Sequence, residues 1–124
     1  MSANAKTGSN SNPIAVSPNN PVTVASVLLT LPGGSKHIVY LIGHFSADPA
    51  GATGGGAVAS ILVDGNLMMD TQVNNLLRDT GTLLSLSGVL ALTAGKHKFE
   101  LQAFVNNMTS AAVRHRSLTA IDLG

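Results

Sequence analysis

The chain has 124 residues, 44% of them apolar, and 7 Lys+Arg against 6 Asp+Glu give a net charge of +1 with only 10% charged side chains. That is one domain's length, and without a basic block or an apolar run near the ~20 residues of a membrane span it argues against nucleic acid and membranes as partners. The absence of Cys excludes a disulfide framework, a thiolate nucleophile and a cysteine zinc site, and a surface filled with Gly, Ser, Thr and Asn in place of charge is unusual for a free monomer.

Residues 1–20, MSANAKTGSNSNPIAVSPNN, hold one apolar island, Ile14-Ala15-Val16. So little apolar area cannot offset the entropy of ordering, which predicts a flexible or extended N-terminal arm ahead of a domain over 21–124. One lysine and no apolar stretch before Ile14 do not make a secretory signal. Pro13 and Pro18 restrict the island to a sheet edge or to the edge of another chain's sheet. Ile14 and Val16 are therefore the arm's candidate docking residues.

From Pro21 the pattern has period two. Val27, Leu29 and Leu31 alternate with Ser26, Leu28 and Thr30, and LPGGS follows, so a hairpin is predicted through Pro32–Ser35. Its return strand, His37–Phe45, is apolar on both faces, as in a central strand covered on both sides. Ser46–Gly56 is predicted as a long loop. Asp64-Gly65 between two apolar runs predicts a second hairpin. Over 67–79, Met69, Val73, Leu76 and Leu77 fit a helix face as well as a bent strand; the preceding hairpin and Asn74-Asn75 favour strand or irregular structure.

After a turn at RDTGT, Leu84, Leu86, Leu90 and Leu92 share a parity, and a further turn spans Thr93–Lys96. In HKFELQAFV the residues Phe99, Leu101, Ala103 and Val105 form a core face opposite Lys98, Glu100 and Gln102. Asn106-Asn107 turns the chain into AAVRHRSLTAIDLG, apolar enough to lie inside a sheet. LPGGSKHIVYL and LTAGKHKFEL share Leu, Gly and Lys-His ahead of a strand, which indicates similar turn chemistry. Seven long strands plus the short arm strand predict an all-β, eight-stranded jelly-roll β-sandwich.

No catalytic set assembles from the motifs, so no enzyme is expected, and no cofactor. His37, His44, His97 and His115 lack metal-ligand spacing, although His37 and His97 begin equivalent strands and could meet across a sheet. His44 lies mid-strand in an apolar run, the setting of a hydrogen-bonded core or interface histidine. DGNLMMD lacks the oxygen ligands of a calcium loop, and GATGGG lacks the Lys-Ser/Thr of a phosphate loop. Arg114 and Arg116, two apart, are expected on one face. They could contact an anion or glycan, ring a symmetry axis, or stand as solvated edge charges. With no Trp and one Tyr, Tyr40, a stacking sugar platform is poorly supported.

VASVLLTLPGGSKHIVYLIGHF, the hairpin at ILVDGN, LTAGKHKFELQAF and VRHRSLTAIDLG together resemble the jelly-roll heads of the tumour necrosis factor and complement globular-head type, over about residues 21–124. The resemblance is carried by Leu92, Gly95, His97, Phe99 and Leu101, and by Arg116, Leu118, Ala120, Ile121 and Leu123. It extends to versions found in bacteriophage structural proteins and bacterial fibre tips. It implies a homotrimer packed through sheet faces, with Tyr40, His44, Leu118 and Ile121 as candidate interface residues. The expected role is a non-enzymatic virion protein on the capsid surface. Such a decoration or cement protein would use Ile14 and Val16 to bind the major capsid protein or another virion protein. The alternative is a trimeric receptor- or glycan-binding head, extracellular or on a cell surface, with Arg114 and Arg116 at the ligand.

Overall fold

A computed structural model describes residues 4–49, 55–74, 76, 81–108 and 110–124. Among the described residues there are nine strands and no helix: β1 (Asn4–Asn10), β2 (Ile14–Val16), β3 (Val22–Leu31), β4 (His37–Pro49), β5 (Gly56–Val63), β6 (Asn66–Val73), β7 (Thr82–Leu92), β8 (Gly95–Asn106) and β9 (Ala111–Asp122). They form two antiparallel sheets. The larger runs β1-β9-β4-β7, with β2 also on β9; the smaller runs β3-β8-β5-β6.

Period-two patterning builds the core between them. β8 contributes Phe99, Leu101, Ala103 and Val105, as its alternation predicts; β3 contributes Val27, Leu29 and Leu31, and β4 contributes Val39, Leu41 and Phe45. At Gly43 a Cβ would meet Leu101, Leu118 and Ile61 side chains at 3.2 to 3.5 Å, so the layers interlock tightly at mid-sandwich. The Asp64-Gly65 hairpin forms as expected, with φ of 51° and 84°, positive at both central residues as a type I′ turn requires. β6 settles residues 66–73 as strand, while the end of the 67–79 segment and most of the turn after it lie outside the described residues.

The structure departs from the sequence expectation at several places. Pro32–Ser35 does not close a hairpin: β3 and β4 belong to opposite sheets, so the turn carries the chain from one layer to the other, and the turn between β7 and β8 does the same. The predicted loop at 46–56 is shorter, because β4 continues to Pro49 beside β7 and β9; residues 50–54 lie outside the described residues. The strand count is nine instead of eight because the first segment is itself a strand.

Residues 4–16 therefore do not form an arm. Asn4–Asn10 pairs with Asp122–Arg116, and Ile14–Val16 pairs with Val113–Ala111. Composition missed this because β1 contributes little apolar area; its ladder of backbone hydrogen bonds and Gly8 do the work. A Cβ at Gly8 would overlap the Ser26 carbonyl oxygen on β3, so β1 closes the flank of the sandwich by an approach that a side chain forbids. Gly8→Ala is expected to cost about 1–3 kcal/mol of unfolding free energy, measured by chemical denaturation. An unchanged midpoint would mean that the N-terminal segment is not packed on β3.

Candidate functional site

The two outer faces of the sandwich differ in chemistry. On the small sheet Lys98, Glu100, Gln102 and Asp70 point outward beside Leu28, Leu62, Leu67 and Phe104. On the large sheet the register sets Ala5, Ile121, Tyr40 and Val89 in one row, Thr7, Thr119, Ile42 and Ser87 in the next, and Ser9, Ser117, His44 and Ser85 in a third. Ile38, Ala91 and Leu123 extend the apolar end. No Asp, Glu, Lys or Arg interrupts these rows among the described residues. Ile38, Ile42, Val89 and Leu123 are exposed, Val89 to 62%. The small sheet's outer face thus mixes charge with apolar side chains, Leu28 and Leu67 exposed among them, whereas the rows of the large sheet are apolar or neutral.

Three of the four residues proposed for contact between copies, Tyr40, His44 and Ile121, lie on this face. Leu118 does not: it is fully buried and points into the core with Ala120. Ile14 and Val16 are not free to dock elsewhere, since Val16 is 2% exposed within this domain's own core and Ile14 packs against that core. Nor do Arg114 and Arg116 share a face. Between His44↔Ser117 and Ser46↔Arg114, β9 has one more residue than β4, and the bulge places His115 at φ 51°. Arg114 stays exposed, whereas Arg116 turns onto the buried parity at 5% exposure. Strict alternation carries no signal for a bulge at a non-glycine residue.

The bulge opens a cleft of about 640 Å³ at the flank of the large sheet, between Ser9–Asn12 and the group His44, His115, Arg116 and Ser117. Among the described residues no carboxylate lines it. The Arg116 side chain makes no hydrogen bond or ion pair with a described residue, and its Nε is buried without a partner. A buried donor left without an acceptor costs about 1–3 kcal/mol.

At one end of the sandwich the two Lys-His turns share more than their sequence. His97 donates from Nδ1 to Asp64 Oδ2 at 2.6 Å and from Nε2 to the Thr93 carbonyl at 2.8 Å. His37 repeats the arrangement with Asp122 at 2.9 Å and the Pro32 carbonyl at 3.0 Å. Each ring spans its own intersheet turn and fixes it to a carboxylate from another strand or turn. The two rings sit on different sheets, each with its own acid, and no cluster of three or more metal-ligating groups occurs among the described residues. Asp64 also accepts from the Lys98 backbone N–H at 2.9 Å, so the turn aspartate fastens the β5–β6 hairpin to β8.

The hydrogen bond from Asp64, aided by the Thr93 carbonyl, raises the His97 pKa above its ordinary 6.5, and the hydrogen bond from His97 lowers that of Asp64 below 3.8. A raised histidine stabilises the fold below its unfolded pKa and loses that contribution as pH rises through the folded value. A lowered carboxylate loses its contribution as pH falls through its folded value. The pair therefore stabilises most in mildly acidic solution. Thermal unfolding of Asp64→Asn is expected to lose stability most at about pH 5 and less at about pH 8; equal losses at both would show that the ion pair contributes nothing.

No family model and no curated protein matches the chain in sequence. In structure it is similar to dimeric latent PorU from Porphyromonas gingivalis, with a TM-score of 0.64 and 12% identity over 97% of this chain and 12% of that one. The infectious bursal disease virus Gt strain also gives 0.64, with 16% identity over 96% of this chain and 33% of that one. Eiger TNF from S. frugiperda gives 0.60, with 12% identity over 100% of this chain and 94% of that one. The chain thus spans about an eighth of PorU and a third of the viral chain, but nearly the whole of Eiger. These likenesses show the fold: a TNF-like jelly-roll sandwich that recurs in viral capsid proteins.

Proposed function

We propose that this chain is a non-enzymatic structural protein of a virion, a homotrimer that decorates and stabilises the capsid surface. The observation that carries the reading is the uncharged outer face of the large sheet, from Ile38 to His44 on β4 and across to β7, β9 and β1. Four strands about 4.8 Å apart and seven residues of about 3.4 Å give it roughly 19 by 24 Å in plan, a little over half of the ~800 Å² that one partner buries in a standard interface before side-chain relief is counted. The likeness to a TNF fold and to a virus particle protein supports a shared architecture for assembly. Because Ile14 and Val16 belong to the domain's own sheet and core, capsid contact falls to the surfaces the trimer leaves open. The outer face of the small sheet, where Lys98, Glu100 and Asp70 stand beside exposed Leu28 and Leu67, is one of them.

Quantitative mass spectrometry of purified virions from the source tests the role. The chain is expected in fixed stoichiometry to the major capsid protein. Its absence from washed particles would overturn the assignment.

A further inference from the structure

The cleft beside β1 lies at the end of the large sheet's outer face, where Ser9, His44 and Ser117 form its last uncharged row, and its chemistry points to a ligand. From the geometry we infer that His44, His115 and Arg116 form a binding site for an oxyanion, a sulfate or phosphate group, with the serine and asparagine side chains of 9–12 and Ser117 holding hydroxyl groups around it. Three observations carry this. Arg116 is more than nine-tenths buried, its Nε has no partner, and it lines the cleft. A guanidinium offers only donors, arranged in a planar fork that matches an oxyanion, so the missing partner is an acceptor with negative charge. Next, the β9 bulge, with His115 at φ 51°, is a strained conformation for a residue other than glycine. It turns Arg116 off the outer face and leaves His115 beside it on the cleft wall. Finally, the lining carries one Arg, two His and otherwise neutral Ser and Asn, so every formal charge there is positive or becomes so on protonation.

At about 640 Å³ the cleft is in the size range of small-molecule sites and exceeds what a bare tetrahedral ion fills. The neutral walls suit the hydroxyls of a sugar. The same oxyanion chemistry serves a free ion and a sulfated or phosphorylated saccharide, and measurement separates them. His44 and Ser117 lie four residues along their strands from the Tyr40–Ile121 row, about 13 Å away, so the cleft opens at the margin of the proposed assembly face.

Thermal unfolding of the full chain, with sodium sulfate or phosphate titrated against sodium chloride at matched ionic strength, tests the site. The expected result is a saturable rise in melting temperature with the oxyanions alone. Arg116→Met is expected to abolish that rise while melting, without anion, at or above the parent temperature, because it removes a buried donor that has no partner. Arg116→Lys, which keeps the charge without the fork, is expected to weaken sulfate binding about tenfold. A sulfated disaccharide that binds at least tenfold more tightly than sulfate identifies a saccharide ligand, and equal affinities identify the free ion. Equal shifts with sulfate and chloride, a sulfate shift that survives Arg116→Met, or an Arg116→Met chain that melts well below the parent would each overturn the inference.

Discussion

Leu118→Ala is expected to destabilise the domain by about 2–5 kcal/mol. Leu118 is fully buried, and its Cδ1 shares the space above Gly43 with the Leu101 and Ile61 side chains, so truncation opens a cavity in a tightly packed part of the core. A loss of that size is a large part of the 5–15 kcal/mol available to a domain and should lower the melting temperature by roughly 10 °C or more. Ile121, three residues further on the opposite parity, supplies the contrast. In a chain held as a monomer, Ile121→Ala should cost under about 1 kcal/mol, as exposed strand positions do. If Leu118→Ala leaves the unfolding temperature unchanged and alters only association, β9 is turned over and the register with β4 is wrong.

Ile121→Asp is expected to give a folded, monomeric domain. Ile121 sits in the row with Tyr40 and Val89 on the uncharged face, and in a trimer three carboxylates would be placed in apolar contacts at once. An uncompensated charge in such a setting costs several kcal/mol, and each 1.4 kcal/mol is tenfold in affinity, so association should weaken by at least a hundredfold. The fold should survive, because the substituted side chain faces water once the copies separate. Tyr40→Asp, across the ladder, should behave alike. The same substitution on the small sheet's outer face, at Gln102 for example, should leave association intact. Loss of folded structure by circular dichroism in Ile121→Asp, or unchanged association, contradicts the assignment of this face.

Much of the fold is legible in the sequence because burial on one side of a strand leaves a period-two record. β8 is the clearest case, and the Asp64-Gly65 turn has a signal tied to positive φ. Where the sequence misleads, the cause is local similarity between different long-range outcomes. LPGGS and LTAGK are tight turns that look like hairpin turns, and only the pairing of β3 with β8 and of β4 with β9 shows that they join two sheets. The repeated Lys-His was a better signal than it looked, since each histidine braces one of these crossings. β1 left almost no record because its partners are backbone groups, and Gly8 alone hints at a close approach. The site residues suffered most. A single inserted residue at His115 sends Arg116 inward and separates it from Arg114, and Leu118 follows Arg116 onto the core side. Alternation counted from either end of β9 gives opposite faces unless the bulge is known.

The central claim, that the uncharged face of the large sheet is covered by sister copies, is tested most directly by molar mass in solution. Sedimentation equilibrium or light scattering on the purified chain at micromolar concentration should return three times the 12.6 kDa chain mass, falling to one chain mass in Ile121→Asp. A parent chain that sediments as a 12.6 kDa monomer at that concentration would contradict the account.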